Sequence, residues 1–178
     1  METNEKTIYG PYETSVLNNK ISLSILEVGK SVKQNLERKI QNTIEGKCIP
    51  EGYIKPGSVK ILTYSSGSVN NEMIDFHVTY ECGTCYPVEG SIIECVTKTI
   101  TKAGIHAEVK DENGNVPINV FIARDHNISD NYFGSIKEGN KFLASIAGVR
   151  FELNDPYISA IASLKKDYDN KKERIKIN

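Results

Sequence analysis

Tryptophan is absent from the 178 residues, and methionine (two), cysteine (four) and phenylalanine (five) are sparse. Four unevenly spaced cysteines are too few for the disulfide framework that staples small secreted scaffolds. Excess charge of one sign is missing as well: 22 Lys+Arg face 23 Asp+Glu, a formal net charge of −1. That balance excludes a histone-like protein or a strongly basic nucleic-acid coat, so any contact with nucleic acid must come from a local patch. The two halves are balanced separately, with 9 basic and 10 acidic residues up to Tyr86 and 13 of each from Pro87 onward. No apolar run approaches the ~18 residues that would span a bilayer. The most apolar stretch, Phe142–Leu153, is broken by Arg150. The opening residues lack the basic-then-apolar pattern of a secretory signal. The expectation is a soluble intracellular protein with no membrane partner, in which the sequon Asn127-Ile128-Ser129 carries no meaning.

Signatures of catalysis are missing too. The glycines never fall into a phosphate-cradling spacing, and three histidines form no metalloprotease helix motif. Arg124-Asp125-His126 has none of the companion parts that phosphoryl transfer needs. No catalytic residue and no cofactor are expected. Cys82-Gly-Thr-Cys85 is the sharpest local motif. A redox site would place it at a helix N-terminus, whereas here a strand precedes it. A zinc site would need a second knuckle, which Cys48 and Cys95 do not supply, and buried structural thiols are the favoured reading.

What is present is a pattern of alternation. Ile21, Leu23 and Ile25 alternate with polar residues within Asn19–Val28, predicting a half-buried strand. Ser31 with Gln34 forms a capping-box pattern ahead of Val32, Leu36, Ile40 and Ile44, whose spacing predicts a helix closed by Gly46. Lys33, Arg38 and Lys39 lie off its apolar face and read as a solvated surface. Short strands follow at Gly52–Ile54, Val59–Leu62 and Ile74–Tyr80, with His77 on the polar face of the last. After Pro87 five strands are predicted, at 88–100, 105–110, 116–123, 142–153 and 157–164, with an Asn113-Gly114 turn and a long crossing at 124–140. The fold class is therefore α+β: a small N-terminal α+β domain (1–86), a five-stranded OB-fold barrel (87–164) and a charged tail (165–178).

OB barrels bind single strands on the face of strands two and three. The residues placed there or on its rim are Lys98, Lys102, His106, Arg124 and His126, diluted by Glu108 and Asp125. Ile105, Ala107 and Val109 form the inward set of the second strand, so His106, Glu108 and Lys110 point out.

These segments resemble a family. Ile44-Glu-Gly-Lys-Cys48, Gly52-Tyr-Ile54, Ile74–Tyr80, Pro87-Val-Glu-Gly90, Thr101–Ile105, Val120–His126 and Ile158–Tyr168 are similar, in order and spacing, to the stalk subunit of multisubunit RNA polymerases. That family comprises the seventh subunit of eukaryotic RNA polymerase II and its archaeal counterpart. The resemblance implies an N-terminal tip domain that plugs into the base of the polymerase clamp, with Gly52, Tyr53 and Ile54 in the docking region. It also implies an OB domain of the S-one ribosomal type near nascent single-stranded RNA, and a helical second stalk subunit as a further partner. No metal and no active site are implied. The CxxC and the short charged tail depart from the cellular pattern and fit a diverged homologue, such as those of large nucleocytoplasmic DNA viruses. Ala103 stands where an aromatic often precedes the glycine, so weak RNA affinity is expected. The competing reading is a free-standing S-one-type RNA binder of translation or RNA decay, and the balanced charge favours the stalk.

Overall fold

A computed structural model describes residues 10–126 and 131–165, so the sequon and all but the first residue of the expected tail lie outside the described residues. The chain divides into two compact units: Tyr12–Tyr86 with Glu152–Pro156, and Pro87–Phe151 with the segment from Tyr157.

In the first unit, β1 (Glu13–Ser24) leads through a 3-10 turn (Ile25–Glu27) into helix α1 (Val32–Ile44). Five strands follow: β2 (Cys48–Ile49), β3 (Gly52–Ile54), β4 (Lys60–Tyr64), β5 (Ser68–Asn70) and β6 (Met73–Cys85). The sheet runs β1-β6-β3-β2, and β4 and β5 also pair with β6. β1 begins six residues before the expected strand because all of Glu13–Ser24 finds a partner on β6, from Glu13↔Thr84 to Ser24↔Met73. Alternation sets the layers. Leu23, Phe76, Val78 and Tyr80 pack with Leu36, Ile40 and Ile44 of α1, the helical positions expected from their four-residue spacing. The opposite face is polar, and Asp75 is its anchor. Its carboxylate accepts from Ser22 Oγ (2.5 Å) and Asn70 Nδ2 (3.1 Å) and pairs with Lys20 Nζ at 2.8 Å.

The capping motif falls elsewhere than expected. Ser31 sits at φ −115°, ψ 28° and makes no side-chain cap bond. Away from extended backbone its hydroxyl does not reach the free N–H groups of the first turn. Ser24 and Glu27 pair instead at the preceding 3-10 turn, the Glu27 carboxylate accepting from both the N–H (2.9 Å) and the hydroxyl (3.0 Å) of Ser24. Gly46 does follow the helix end, at φ 71°, and its N–H donates to Ile54 O (2.9 Å), turning the chain onto β3.

The second unit holds β7 (Ile92–Ile100), β8 (Gly104–Val109), β9 (Ile118–Ala123), the short helix α2 (Asn131–Ser135), β10 (Lys141–Arg150) and β11 (Ile158–Lys165). These strands close into a barrel in the order β10-β11-β9-β8-β7. All neighbours are antiparallel except β9 and β11, which run parallel with Ile158 opposite Ile118. A closed five-stranded barrel with a helix between its third and fourth strands is the expected OB-type layout. Ile105, Ala107 and Val109 are buried, as are Ile93, Ile118, Val120, Ile122, Phe142 and Ile146. At the expected Asn113-Gly114 turn, the Asp111 carboxylate accepts from the N–H groups of Asn113 and Asn115. Gly104 cannot be replaced: a Cβ there would lie 2.1 Å from Ile122 O.

Candidate nucleic-acid interface

Cross-strand register organises the outer face of the barrel into two rows. Along one, Thr99, His106, Phe121, Ile161 and Gly148 are successive partners on β7, β8, β9, β11 and β10. Along the next, Glu108, Asn119, Ser159 and Arg150 lie side by side. Residues opposite one another in a sheet share a face, so the first row is an aromatic and aliphatic strip and the second a polar one. The His106 and Phe121 rings lie 4.9 Å apart between centroids, tilted by 46°. An open groove of about 830 Å³ runs over both rows, lined by Lys98, His106, Asn119, Phe121, Arg150, Tyr157 and Ile161 among others. Ile161 and Tyr157 are exposed, 57% and 40% respectively, as an accessible stacking surface requires.

Lys98, which lines the groove, is engaged by Glu108 just outside it. The Glu108 side chain is nearly buried, and it accepts from Lys98 Nζ while Lys110 Nζ lies 3.5 Å from its other oxygen. The hydrogen bond from Lys98 is the main cause of a lowered Glu108 pKa, and the same bond raises that of Lys98. Both side chains are therefore charged at neutral pH, with most of the field of Lys98 cancelled locally.

Of the five residues expected to contact RNA, the fold brings Lys98 and His106 into this groove. Lys102 lies outside it, exposed in the β7–β8 turn. Arg124 holds that turn: Nε donates to Lys102 O (3.0 Å) and Nη2 to Thr101 O (3.1 Å), with the guanidinium 5.2 Å above the Phe133 ring. His126 follows, exposed, beyond the end of β9. Sequence reasoning overlooked Phe121, Tyr157, Asn119 and Arg150. An available signal was the alternation within β9, which turns Asn119 and Phe121 outward while Ile118, Val120 and Ile122 fill the barrel.

Gly52, Tyr53 and Ile54 form the inner strand β3, paired with both β2 and β6. Ile54 is fully buried in the core under α1, and Tyr53, only 4% exposed, stacks on Tyr12 with centroids 6.4 Å apart. Gly52 holds φ +119°, and a Cβ on it would lie 2.3 Å from Cys85 O. The side chains of this strand support the unit itself, and the exposed residues beside them are Pro50 and Glu51 in the β2–β3 turn.

All four cysteines are free thiols and buried. Cys82 and Cys85 lie three apart on β6, and strand alternation sends side chains at that spacing to opposite faces, away from a shared ligand or bond. Burial pushes the thiols up, Cys48 and Cys82 to about 11 and Cys85 and Cys95 to about 12. Thiols that remain protonated at neutral pH are poor nucleophiles and poor metal ligands. Among the described residues no group of three or more His, Cys, Asp or Glu is placed to hold a metal.

No helix among the described residues is long and apolar enough to cross a membrane. No protein-family model matches the chain. Three curated proteins do. DNA-directed RNA polymerase II subunit 7 of Arabidopsis thaliana is 27% identical over 117 residues, 65% of this chain and 62% of its own length, so the chain spans less than two thirds of that relative. DNA-directed RNA polymerase II subunit rpb7 of Schizosaccharomyces pombe is 25% identical, covering 89% of this chain and 97% of its own. The soybean (Glycine max) protein of the same name is also 25% identical, covering 86% and 92%. The resemblance read from the sequence thus extends over most of the chain, which is similar to the seventh subunit of RNA polymerase II.

Proposed function

We propose that this protein is a non-catalytic stalk subunit of a DNA-dependent RNA polymerase. It docks at the clamp base through its N-terminal unit and contacts nascent single-stranded RNA through the barrel groove. The polymerase assignment is supported by similarity that spans nearly the full length of the fission-yeast subunit rather than a single motif. The RNA assignment rests on one observation: an aromatic pair, exposed His106 and half-buried Phe121, lies beside Lys98 in a groove crossing the barrel strands. Bases have a stackable face whatever their sequence, and cations beside such a strip meet the phosphates. The groove has few uncompensated cations, so binding is weak and its salt slope shallow, as suits a transcript that must slide past.

Docking falls to surface on the N-terminal unit. Pro50 and Glu51 of the β2–β3 turn, positioned by Gly52–Ile54, are one candidate contact, and the exposed apolar side chains Leu26 and Val69 offer others. Polymerase core subunits and a helical second stalk subunit are the expected partners, inside the cell and wherever that polymerase works. Affinity capture of the tagged protein from its native source tests this reading. Stoichiometric recovery of the two largest polymerase subunits is the expected result. Recovery of ribosomes or RNA-decay factors without polymerase would replace it with the free-standing RNA binder.

A further inference from the structure

Glu108 adjoins the groove without lining it, and reaches it through its ion pair with the lining residue Lys98. Its backbone lies on β8 between the inward Ala107 and Val109, in the polar row that runs directly beside His106 and Phe121. Its side chain is 11% exposed, whereas Lys98 and Lys110 around it are 62% and 50% exposed. One nearly buried carboxylate thus occupies two solvent-facing ammonium groups. The exposed ammonium groups need no partner, whereas the nearly buried carboxylate does, so the pairing compensates Glu108 at the expense of the lysines' freedom. The charge-assisted bonds do fix where the ammonium groups point: toward Glu108, beside the strip on which a base would stack.

We propose that Glu108 acts as a built-in competitor of the RNA phosphates, holding Lys98 and Lys110 and thereby setting the groove's affinity low. This rests on the groove being the RNA interface. A phosphate entering beside a stacked base must draw a lysine away from Glu108, so the net gain per contact is the difference between two ion pairs. In the wild-type protein these lysines then contribute little to affinity, although Lys98 lines the groove beside the strip. The carboxylate also repels the phosphate at short range, which keeps contacts transient and favours a passing strand over a retained one.

The test uses the full chain and a labelled oligouridine strand, followed by fluorescence anisotropy across a salt series, with wild type, Glu108→Gln, Lys98→Ala, Phe121→Ala and the Glu108→Gln/Lys98→Ala pair. Glu108→Gln is expected to bind about three- to tenfold more tightly at moderate salt, on the scale of one or two exposed ion pairs released. Its salt slope should steepen by roughly 0.7–1.4, at about 0.7 per added phosphate contact on a single strand. Lys98→Ala should cost the wild type less than about twofold but should remove much of the gain in the Glu108→Gln background, a coupling that a purely structural glutamate would not show. Unchanged or weaker binding by Glu108→Gln, while Phe121→Ala still weakens the wild type, overturns the role of Glu108 and leaves the groove standing. Absence of binding by both wild type and Glu108→Gln overturns both. Thermal melts establish that each variant is folded. Should Glu108→Gln not fold, Lys98→Ala in the wild type decides: a loss of about fivefold or more means that the lysine was never held back.

Discussion

Alanine substitution at Tyr53 and Ile54 is the perturbation that a docking role for this segment would suggest, and the structure predicts a different outcome from simple release. Ile54 is fully buried under α1 among Leu36, Ile40, Phe76 and Tyr80, so truncating it should cost about 2–5 kcal/mol, transfer and cavity contributions together. Tyr53 is nearly as buried and loses its stacking on Tyr12, and truncation of an aromatic of that kind costs about 3–5 kcal/mol. The two are adjacent and need not add fully, but their combined cost reaches the roughly 5–15 kcal/mol that holds a whole domain folded. The assay is a thermal melt of Ile54→Ala and of the double variant, with hydrogen exchange across residues 13–85 to locate the loss. Ile54→Ala alone should lower Tm by at least about 8 °C, at about 4–8 °C per kcal/mol in a unit of this size. The double variant should lose protection throughout β1 and β6. A double variant melting within about 3 °C of wild type would refute the reasoning, because Tyr53 and Ile54 would then be free to serve as interface anchors. With the predicted result, failure of that variant to bind polymerase reports unfolding, and docking must be probed at Pro50 and Glu51.

Three further outcomes are expected. Gly52→Ala combines a strained positive φ, about 1–3 kcal/mol, with a clash against a backbone carbonyl, and should destabilise the N-terminal unit by at least about 2 kcal/mol in denaturant titration. The bonds from Lys20, then Ser22 and Asn70, hold Asp75 at about 2, below its ordinary value of 3.8. A carboxyl lowered by folding contributes stability above its unfolded pKa, so that contribution should fade as pH falls from about 4 toward 2, and Asp75→Asn should flatten this part of an acid titration. All four thiols should resist a thiol-specific reagent in the native protein at about pH 7 and react together in denaturant; rapid native labelling of Cys82 or Cys85 would contradict their burial and raised pKa values.

Local patterns carried far into the fold, and failed where function depends on assembly. The alternation of Ile74, Phe76, Val78 and Tyr80 and the four-residue spacing of Leu36, Ile40 and Ile44 each identify a buried face because one face of one element meets one core. Asn113-Gly114 marks its turn for the same local reason. The whole groove could not be read this way: Lys98, His106 and Phe121 meet across β7, β8 and β9, but Tyr157, 59 positions from Lys98, and Arg150 join them only when β11 runs parallel to β9 and closes the barrel. Arg124 illustrates the converse. A cation at a strand end reads as a phosphate contact, but its fork is engaged by the carbonyls of Thr101 and Lys102, which no sequence spacing reveals. Ser31 makes no cap bond on α1 because capping depends on the backbone angles at the cap residue, and the Ser24–Glu27 pair serves the preceding 3-10 turn instead.

The parallel pairing of β9 with β11 also governs when the barrel can form. Strands β7, β8 and β9 are neighbours in sequence and can zip locally as soon as they are made, whereas the seam needs Ile158–Ile161 to lie along Ile118–Phe121, forty residues earlier in the chain. Until Ile158–Lys165 has been synthesised, β9 and β10 both present open backbone edges, the form in which nascent sheets associate with the wrong partner. The slow, non-local step thus comes last in synthesis. Loss of the final strand would leave a sticky intermediate rather than a slightly shorter barrel.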